Sequence, residues 1–111
     1  MKILFTAGGE GWNSPMDPRL GRADFLLLYD EESGEITANS NQEAATVPHA
    51  GLFTAEKIME LRPDVVITGN GPGRKAYDIL EGSDIIIYTG AGGMSVQEAY
   101  DAFKAGRLER F

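Results

Sequence analysis

The chain has 111 residues, a formal net charge of −7 and no cysteine. This length fits one domain that can bury a core unaided, and the lack of cysteine excludes disulfides, zinc–thiolate sites and thiol nucleophiles. The acidic balance argues against a broad nucleic-acid surface, and no apolar run reaches the roughly 20 residues of a membrane span. Because the amino-terminal residues also lack the pattern of a signal peptide, the sequence predicts a cytoplasmic protein that binds neither nucleic acid nor membrane.

The predicted elements alternate between strands and helices along the chain. Apolar runs predict five strands at residues 2–6, 24–29, 35–39, 64–68 and 84–88. Amphipathic stripes predict three helices, at residues 49–61, at residues 74–80, and from a Ser95 cap to Gly106. The polar stretch at residues 39–48 is predicted to be a loop.

The order of these elements predicts the fold class. The short turn between the second and third strands favours an antiparallel hairpin. Strands that alternate with helices favour a parallel sheet with helices on both faces. The sequence therefore predicts a single α/β domain over residues 1–111, built as three α/β/α layers around a five-stranded mixed sheet with one antiparallel strand.

Three glycine-rich loops each follow a predicted strand, at residues 7–11, 69–73 and 90–93. If those strands are parallel, the loops open at the same edge, where open α/β sheets bind ligands. Glycines allow backbone N–H groups to approach an anion closely, and a helix start adds to the attraction. The loops also have a plainer interpretation as tight turns without a ligand.

Charged residues stand beside these loops. Arg74 and Lys75 follow the second glycine loop, and Arg19 and Arg22 flank Leu20-Gly21 in the long first loop. Arginine suits planar or multiply charged anions. The alternative for the first loop is an exposed turn in which Asp17 pairs with Arg19.

His49 is the only histidine, and it stands at the predicted start of a helix. That position favours the neutral imidazole, which is the form that ligates metals. His49 is therefore either a metal ligand or a structural residue. No serine has the context of a nucleophile, so no catalytic residue is predicted.

Several segments together resemble one known family over essentially the whole chain. They are residues 15–23 with 25–30, His49-Ala50-Gly51, residues 64–69, residues 71–76, and residues 95–99 with 106–108. Their order and spacing resemble the dinitrogenase iron–molybdenum cofactor biosynthesis family, which includes NifX-like and NafY-like proteins and the C-terminal domain of NifB-like proteins.

The resemblance implies a ribonuclease-H-like fold and a non-catalytic accessory protein. Such a protein would bind or carry an iron–molybdenum cluster, another metal–sulfur cluster or a precursor. Its partners would be metal-cluster assembly or recipient proteins, and it would be a monomer or a weak homodimer. The candidate cofactor-binding residues are Arg19, Gly21, Arg22, Gly69, Gly71, Gly73, Arg74, Lys75, Gly92 and Gly93, with His49 as the candidate metal ligand.

Two functions of other classes remain open. One is a small-molecule enzyme or binding module for a phosphorylated or carboxylated anion, for which His49 or Asp17 would be the base. The other is a purely structural or interaction domain, in which the glycine loops are turns. All binding hypotheses require that the Arg19 segment and residues 71–73 lie at the same end of the sheet.

Overall fold

The computed structural model describes residues 1–111 and contains one six-stranded sheet flanked by helices. The strands are β1 (Lys2–Ala7), β2 (Phe25–Asp30), β3 (Glu35–Ser40), β4 (Val65–Ile67), β5 (Ile86–Thr89) and β6 (Glu109–Arg110). The helices are α1 (Gln42–Ala45), α2 (Ala50–Leu61), α3 (Arg74–Leu80) and α4 (Val96–Lys104). None of these helices combines the length and the apolar character needed to cross a bilayer.

The strands lie in the order β3-β2-β1-β4-β5-β6. β1 pairs in parallel with β4, and β4 with β5, which confirms the predicted parallel core. β2 pairs antiparallel with both β1 and β3, so the predicted hairpin is also confirmed. The carboxyl ends of β1, β4 and β5 therefore lie at one edge of the sheet, which we call the carboxyl edge.

The predicted strand count was one too low. β6 pairs antiparallel with β5, so the sheet has six strands. β6 is therefore the second strand, after β2, that runs in the direction opposite to β1, β4 and β5. Both residues of β6 are exposed and charged, and no apolar run marks it in the sequence. The short helix α1 lies within the segment predicted to be a loop. It has no buried residue, so the sequence shows no apolar pattern there either.

Each face of the sheet carries its own core, because successive side chains of a strand point to opposite faces. Ile3, Phe5 and Ala7 pack with the buried residues of α4. Leu4 packs on the other face with residues of α2 and α3. The three α/β/α layers are thus confirmed, and the two cores hold the carboxyl edge in place.

An aromatic cluster and one carboxylate tie the hairpin to α4. The rings of Trp12, Tyr29 and Tyr100 meet edge to face, with centroids 4.8–5.6 Å apart. The Tyr100 hydroxyl donates to Glu31 Oε2 at 2.6 Å, and Lys104 Nζ donates to the same oxygen at 3.0 Å. The pKa of Glu31 is lowered, first by the hydrogen bond from Tyr100 and then by the hydrogen bond from Lys104. The hydrogen bond between Tyr100 and Glu31 also raises the pKa of Tyr100 to about 12.

The loop between β1 and β2, residues 8–24, is called the first loop here, and it lies directly against the end of β4. The Asp17 N–H donates to the Thr6 carbonyl at 2.9 Å, and the Asn70 N–H donates to the Pro18 carbonyl at 2.8 Å. A Cβ at Gly69 would lie 2.5 Å from Pro18 Cα and 3.2 Å from the Asp17 oxygen. Because both neighbours are backbone atoms, only glycine allows this approach at position 69.

Gly69→Ala is expected to destabilise the protein. The added methyl group meets backbone that cannot move without breaking the two hydrogen bonds, so we expect a loss of about 1–3 kcal/mol in the free energy of unfolding. Gly82→Ala is the matched control, because a Cβ there meets nothing within 4 Å. Denaturant unfolding of both variants measures the difference, and equal stabilities would contradict the contact.

Tyr100 is expected to ionise at a pH well above the usual tyrosine value of 10.0. Its pKa is raised in the folded state, so its stabilising contribution is complete below the usual value of 10.0 and is lost as the pH rises to about 12. Near-ultraviolet absorbance of the phenolate follows the titration. Glu31→Gln should move this step to lower pH, because the carboxylate that opposes phenolate formation is gone; an unchanged titration would refute the assignment.

Candidate functional site

The carboxyl edge gathers the loops that follow β1, β4 and β5. The Gly90 N–H donates to the Gly69 carbonyl at 2.9 Å, which joins the second and third glycine loops. The Met16 N–H donates to the Met94 carbonyl, also at 2.9 Å, which joins the first loop to the third. The Arg19 segment and residues 71–73 therefore lie at the same end of the sheet, as the binding hypotheses require.

Between these loops lies a cleft of about 340 Å³. Its walls are residues 18–22 of the first loop, Gly51 at the start of α2, and residues 70–73. The ten lining residues are Pro18, Arg19, Leu20, Gly21, Arg22, Gly51, Asn70, Gly71, Pro72 and Gly73. They include two arginines and no carboxylate, so the charge at this cleft is positive in a chain whose net charge is −7.

The structure brings half of the predicted cofactor-binding residues to the cleft wall. Arg19, Gly21, Arg22, Gly71 and Gly73 line it. The remaining five stand outside the lining: Gly69, Arg74, Lys75, Gly92 and Gly93. Gly69 is buried beneath Pro18, where it serves close packing.

Sequence reasoning did not select Gly51 or Asn70 as site residues. Gly51 belongs to a segment that carried the family resemblance, and Asn70 belongs to the second glycine loop; these were the available signals. A Cβ at Gly21 would lie 2.7 Å from Gly51 Cα. The two glycines therefore let the first loop rest on the start of α2, which closes one side of the cleft.

Two glycines of the second loop line the cleft. The N–H groups of Gly71 and Gly73 donate to no other backbone group. Gly71 has a φ of 100°, a conformation that other residues rarely adopt. α3 has only seven residues, so its dipole alone does not make an anion site.

The two cleft arginines are held by single contacts. Arg22 Nη1 donates to the Ala45 carbonyl at 2.7 Å. The Asp17 carboxylate accepts from the Arg19 N–H at 2.9 Å and lies 3.9 Å from Arg19 Nε. Asp17 and Arg19 therefore do pair locally, which was the alternative given for the first loop in the sequence analysis. The Arg19 side chain is 65% exposed, and an ion pair this exposed is weak.

His49 lies outside the cleft. It precedes α2 with a φ of 62°, and its Nδ1 contacts Lys75 Nζ. No group of three histidine or acidic side chains is arranged to hold a metal ion. The metal role of His49 stays a prediction.

Two buried polar side chains fasten the first loop to the body of the protein. Thr54 Oγ1 donates to the Gly21 carbonyl at 3.0 Å. Asn41 Nδ2 donates to Thr54 Oγ1 at 3.0 Å and to the Ala23 carbonyl at 2.9 Å. This chain of hydrogen bonds sets the position of the cleft wall relative to α2.

Acidic residues concentrate at the opposite edge of the sheet. They lie at the turn between β2 and β3 and just before β4 and β5: Asp30, Glu31, Glu32, Glu35, Asp64 and Asp84.

Comparisons with known proteins agree on family and fold. The family model described as dinitrogenase iron-molybdenum cofactor matches residues 1–106. The apo form of the orange protein from Desulfovibrio gigas is 28% identical, with a TM-score of 0.91 over 99% of this chain and 92% of that one. A candidate NifB protein from Thermotoga is 29% identical, with a TM-score of 0.84 over 98% and 91%. Among curated proteins, none matches this chain.

Thr54→Val is expected to loosen the cleft wall. The change leaves the Gly21 carbonyl and an Asn41 donor without a partner, which costs about 1–3 kcal/mol of stability. Thr37→Val, on the exposed face of β3, is the control and should be close to neutral. Thermal unfolding compares the two, and equal melting temperatures would show that the hydrogen bonds do not hold the loop.

Proposed function

Because the chain belongs to the dinitrogenase iron-molybdenum cofactor family, we propose that it is a non-catalytic accessory protein. It binds or carries an anionic metal–sulfur cluster, or a precursor of one, in the cleft between residues 18–22 and 70–73. The single observation that carries this proposal is the composition of the cleft wall. Two arginines and the glycines of the second loop line about 340 Å³, and no carboxylate is among the lining residues, although Asp17 lies 3.9 Å from Arg19 Nε.

The chemistry of the cleft decides which kind of cluster it suits. The chain has no cysteine, so it cannot replace sulfide or thiolate ligands on iron. A cluster that keeps its own sulfide ligands needs only outer contacts, which are charge from the arginines and hydrogen bonds from N–H groups to sulfur. The cargo is therefore an anion with a complete set of ligands, such as a thiomolybdate or a finished cluster.

The weak contacts of the two arginines suit a protein that transfers a bound cluster to another protein. Arg19 and Arg22 are exposed; the Arg22 guanidinium makes one hydrogen bond and the Arg19 guanidinium only a 3.9 Å contact with Asp17, so both groups can turn toward a bound anion at small cost. The same feature allows release to a second protein. The partners are proteins that assemble the cluster or receive it, which agrees with the family and with the NifB name of one structural neighbour.

The enzyme alternative receives no general base from the cleft itself. The lining contains no carboxylate and no histidine. Asp17 caps the Arg19 N–H, and His49 faces Lys75. A reaction in the cleft would need one of these groups to leave its present partner.

An anaerobic titration with tetrathiomolybdate tests the proposal. We expect new visible absorption and molybdenum that stays with the protein through desalting. The double change Arg19→Ala and Arg22→Ala should weaken binding by about tenfold or more, since each lost charge contact with an anion is worth roughly 1.5–3 kcal/mol. Lys2→Ala with Arg62→Ala removes the same charge at the opposite edge and should leave binding intact. Absence of absorption and of retained metal in the unaltered protein would refute the proposal.

Gly73→Ala tests whether the cargo approaches the second loop. A Cβ at Gly73 meets nothing within 4 Å, so the variant should fold as stably as the parent. The methyl group would stand where the anion meets the backbone, and we expect its dissociation constant to rise about tenfold. Gly82→Ala, equally unhindered and outside the cleft, is the control. Equal binding by both variants would place the cargo elsewhere.

A further inference from the structure

One asparagine of the cleft wall is followed directly by a glycine. The chain contains four asparagines, and Asn70-Gly71 is the only such pair. Both residues line the cleft. Because glycine has no side chain, its backbone nitrogen is open to approach by the side chain of the residue before it. The proposed function draws on the glycine and gives the Asn70 amide no role.

The two groups that could react at this pair are both free of hydrogen bonds. Asn70 is exposed. Its side-chain amide makes no hydrogen bond within the protein, in contrast to the amides of Asn39 and Asn41. The Asn70 backbone N–H donates to the Pro18 carbonyl at 2.8 Å, whereas the Gly71 N–H donates to no backbone group. The Asn70 side-chain carbon and the Gly71 nitrogen therefore break no hydrogen bond in order to meet.

The other three asparagines are each restrained. In Asn13-Ser14, the Ser14 N–H already donates to the Gly11 carbonyl at 3.0 Å. Asn39 lies within β3, and its amide donates to the backbone of β2 at 3.2 Å. Asn41 is 1% exposed, and its amide donates to a backbone carbonyl at 2.9 Å. A reaction between side chain and following nitrogen would have to break existing contacts at each of these positions.

The free pair fits a hydrolysis that asparagine–glycine sequences undergo without an enzyme. The Gly71 nitrogen loses its proton and attacks the Asn70 side-chain carbon, Cγ. A C–N bond forms between them, the bond from Cγ to the amide nitrogen Nδ2 breaks, and that nitrogen takes up protons and leaves as ammonia. Water then opens the cyclic imide at one of its two carbonyls, giving aspartate or isoaspartate. The sum consumes one water, releases one ammonia and changes no oxidation state.

We propose that Asn70 is a deamidation site and that its conversion to a carboxylate ends the binding of anions in the cleft. The lining includes two arginines and no carboxylate, so the new group is the first negative charge among the lining residues. A negative charge in the wall repels a bound anion and competes with it for the arginines. The effect on anion affinity rests on the proposed function, whereas the reaction at Asn70 does not.

The cargo and the reaction compete for the same backbone group. In the proposed function the Gly71 N–H donates to the anion, and a nitrogen held in this way is not available to attack Cγ. A loaded protein therefore keeps its amide, whereas an empty protein gradually loses it. Deamidation thus withdraws from service those copies that stay without cargo.

Incubation of the full chain at mildly alkaline pH and physiological temperature tests the reaction. Ion-exchange chromatography should show a species with one added negative charge that grows with time, and mass spectrometry of proteolytic peptides should place the change at Asn70. Asn70→Gln keeps an amide but requires a larger ring, so it should form the acidic species about tenfold or more slowly. Absence of the species, equal formation in Asn70→Gln, or mapping to Asn13 would overturn the assignment.

Two variants of equal charge test the effect on the cleft. Asn70→Asp carries the charge of the product and should weaken tetrathiomolybdate binding about tenfold. Asn13→Asp adds the same charge at an exposed residue outside the lining and should bind as the parent does. Asn70→Gln, which adds no charge, should also bind normally. Equal affinities of the two aspartate variants would overturn the effect of the new charge.

Incubation with and without saturating tetrathiomolybdate, in the absence of oxygen, tests the competition. The anion should slow formation of the acidic species several-fold, and an unchanged rate would overturn the competition. If the acid forms at Asn70 and the unaltered protein never binds the anion, the modification site stands and the proposed function fails. If the unaltered protein binds the anion and Asn70 keeps its amide throughout, the proposed function stands and the modification site fails.

Discussion

The approach of the first loop to the carboxyl edge is the constraint on which the site depends. A Cβ added to Gly69 would collide with the backbone of residues 17–18. A Cβ added to Gly21 would collide with the backbone of Gly51. Hydrogen bonds from Asn70 to Pro18 and from Thr54 to Gly21 hold the loop there. Without this packing, residues 18–22 would be an ordinary surface loop, and residues 70–73 would have no opposite wall.

Glycine therefore has two different roles at this edge. Gly21 and Gly69 allow backbone segments to touch, and their contribution is structural. Gly71 and Gly73 line the cleft and their N–H groups have no backbone partner, so in the proposed function they contribute to ligand binding. The sequence presents both kinds within the same motifs, and the distances to neighbouring backbone separate them.

The distribution of charge gives an acidic protein a basic site. Acidic residues cluster around the start of the parallel strands, whereas Arg19 and Arg22 stand where those strands end. In the proposed function, the few and exposed contacts of these arginines favour exchange of a cargo over permanent storage. A separate groove beside the cleft exposes Val47 and Phe53.

The sequence by itself determined the class of fold, the parallel core, the hairpin and the edge at which the glycine loops open, because buried strands and amphipathic helices leave a periodic apolar pattern. It also placed Arg19, Arg22, Gly71 and Gly73 among the candidates. Only the tertiary structure revealed β6 and α1, whose residues are exposed and carry no such pattern. It alone separated His49 from the cleft, added Gly51 and Asn70 to it, and linked Arg22 to Ala45. These features depend on contacts between segments that are far apart in the chain. The apolar pattern of one segment indicates which of its residues are buried, but it does not indicate which other segment buries them.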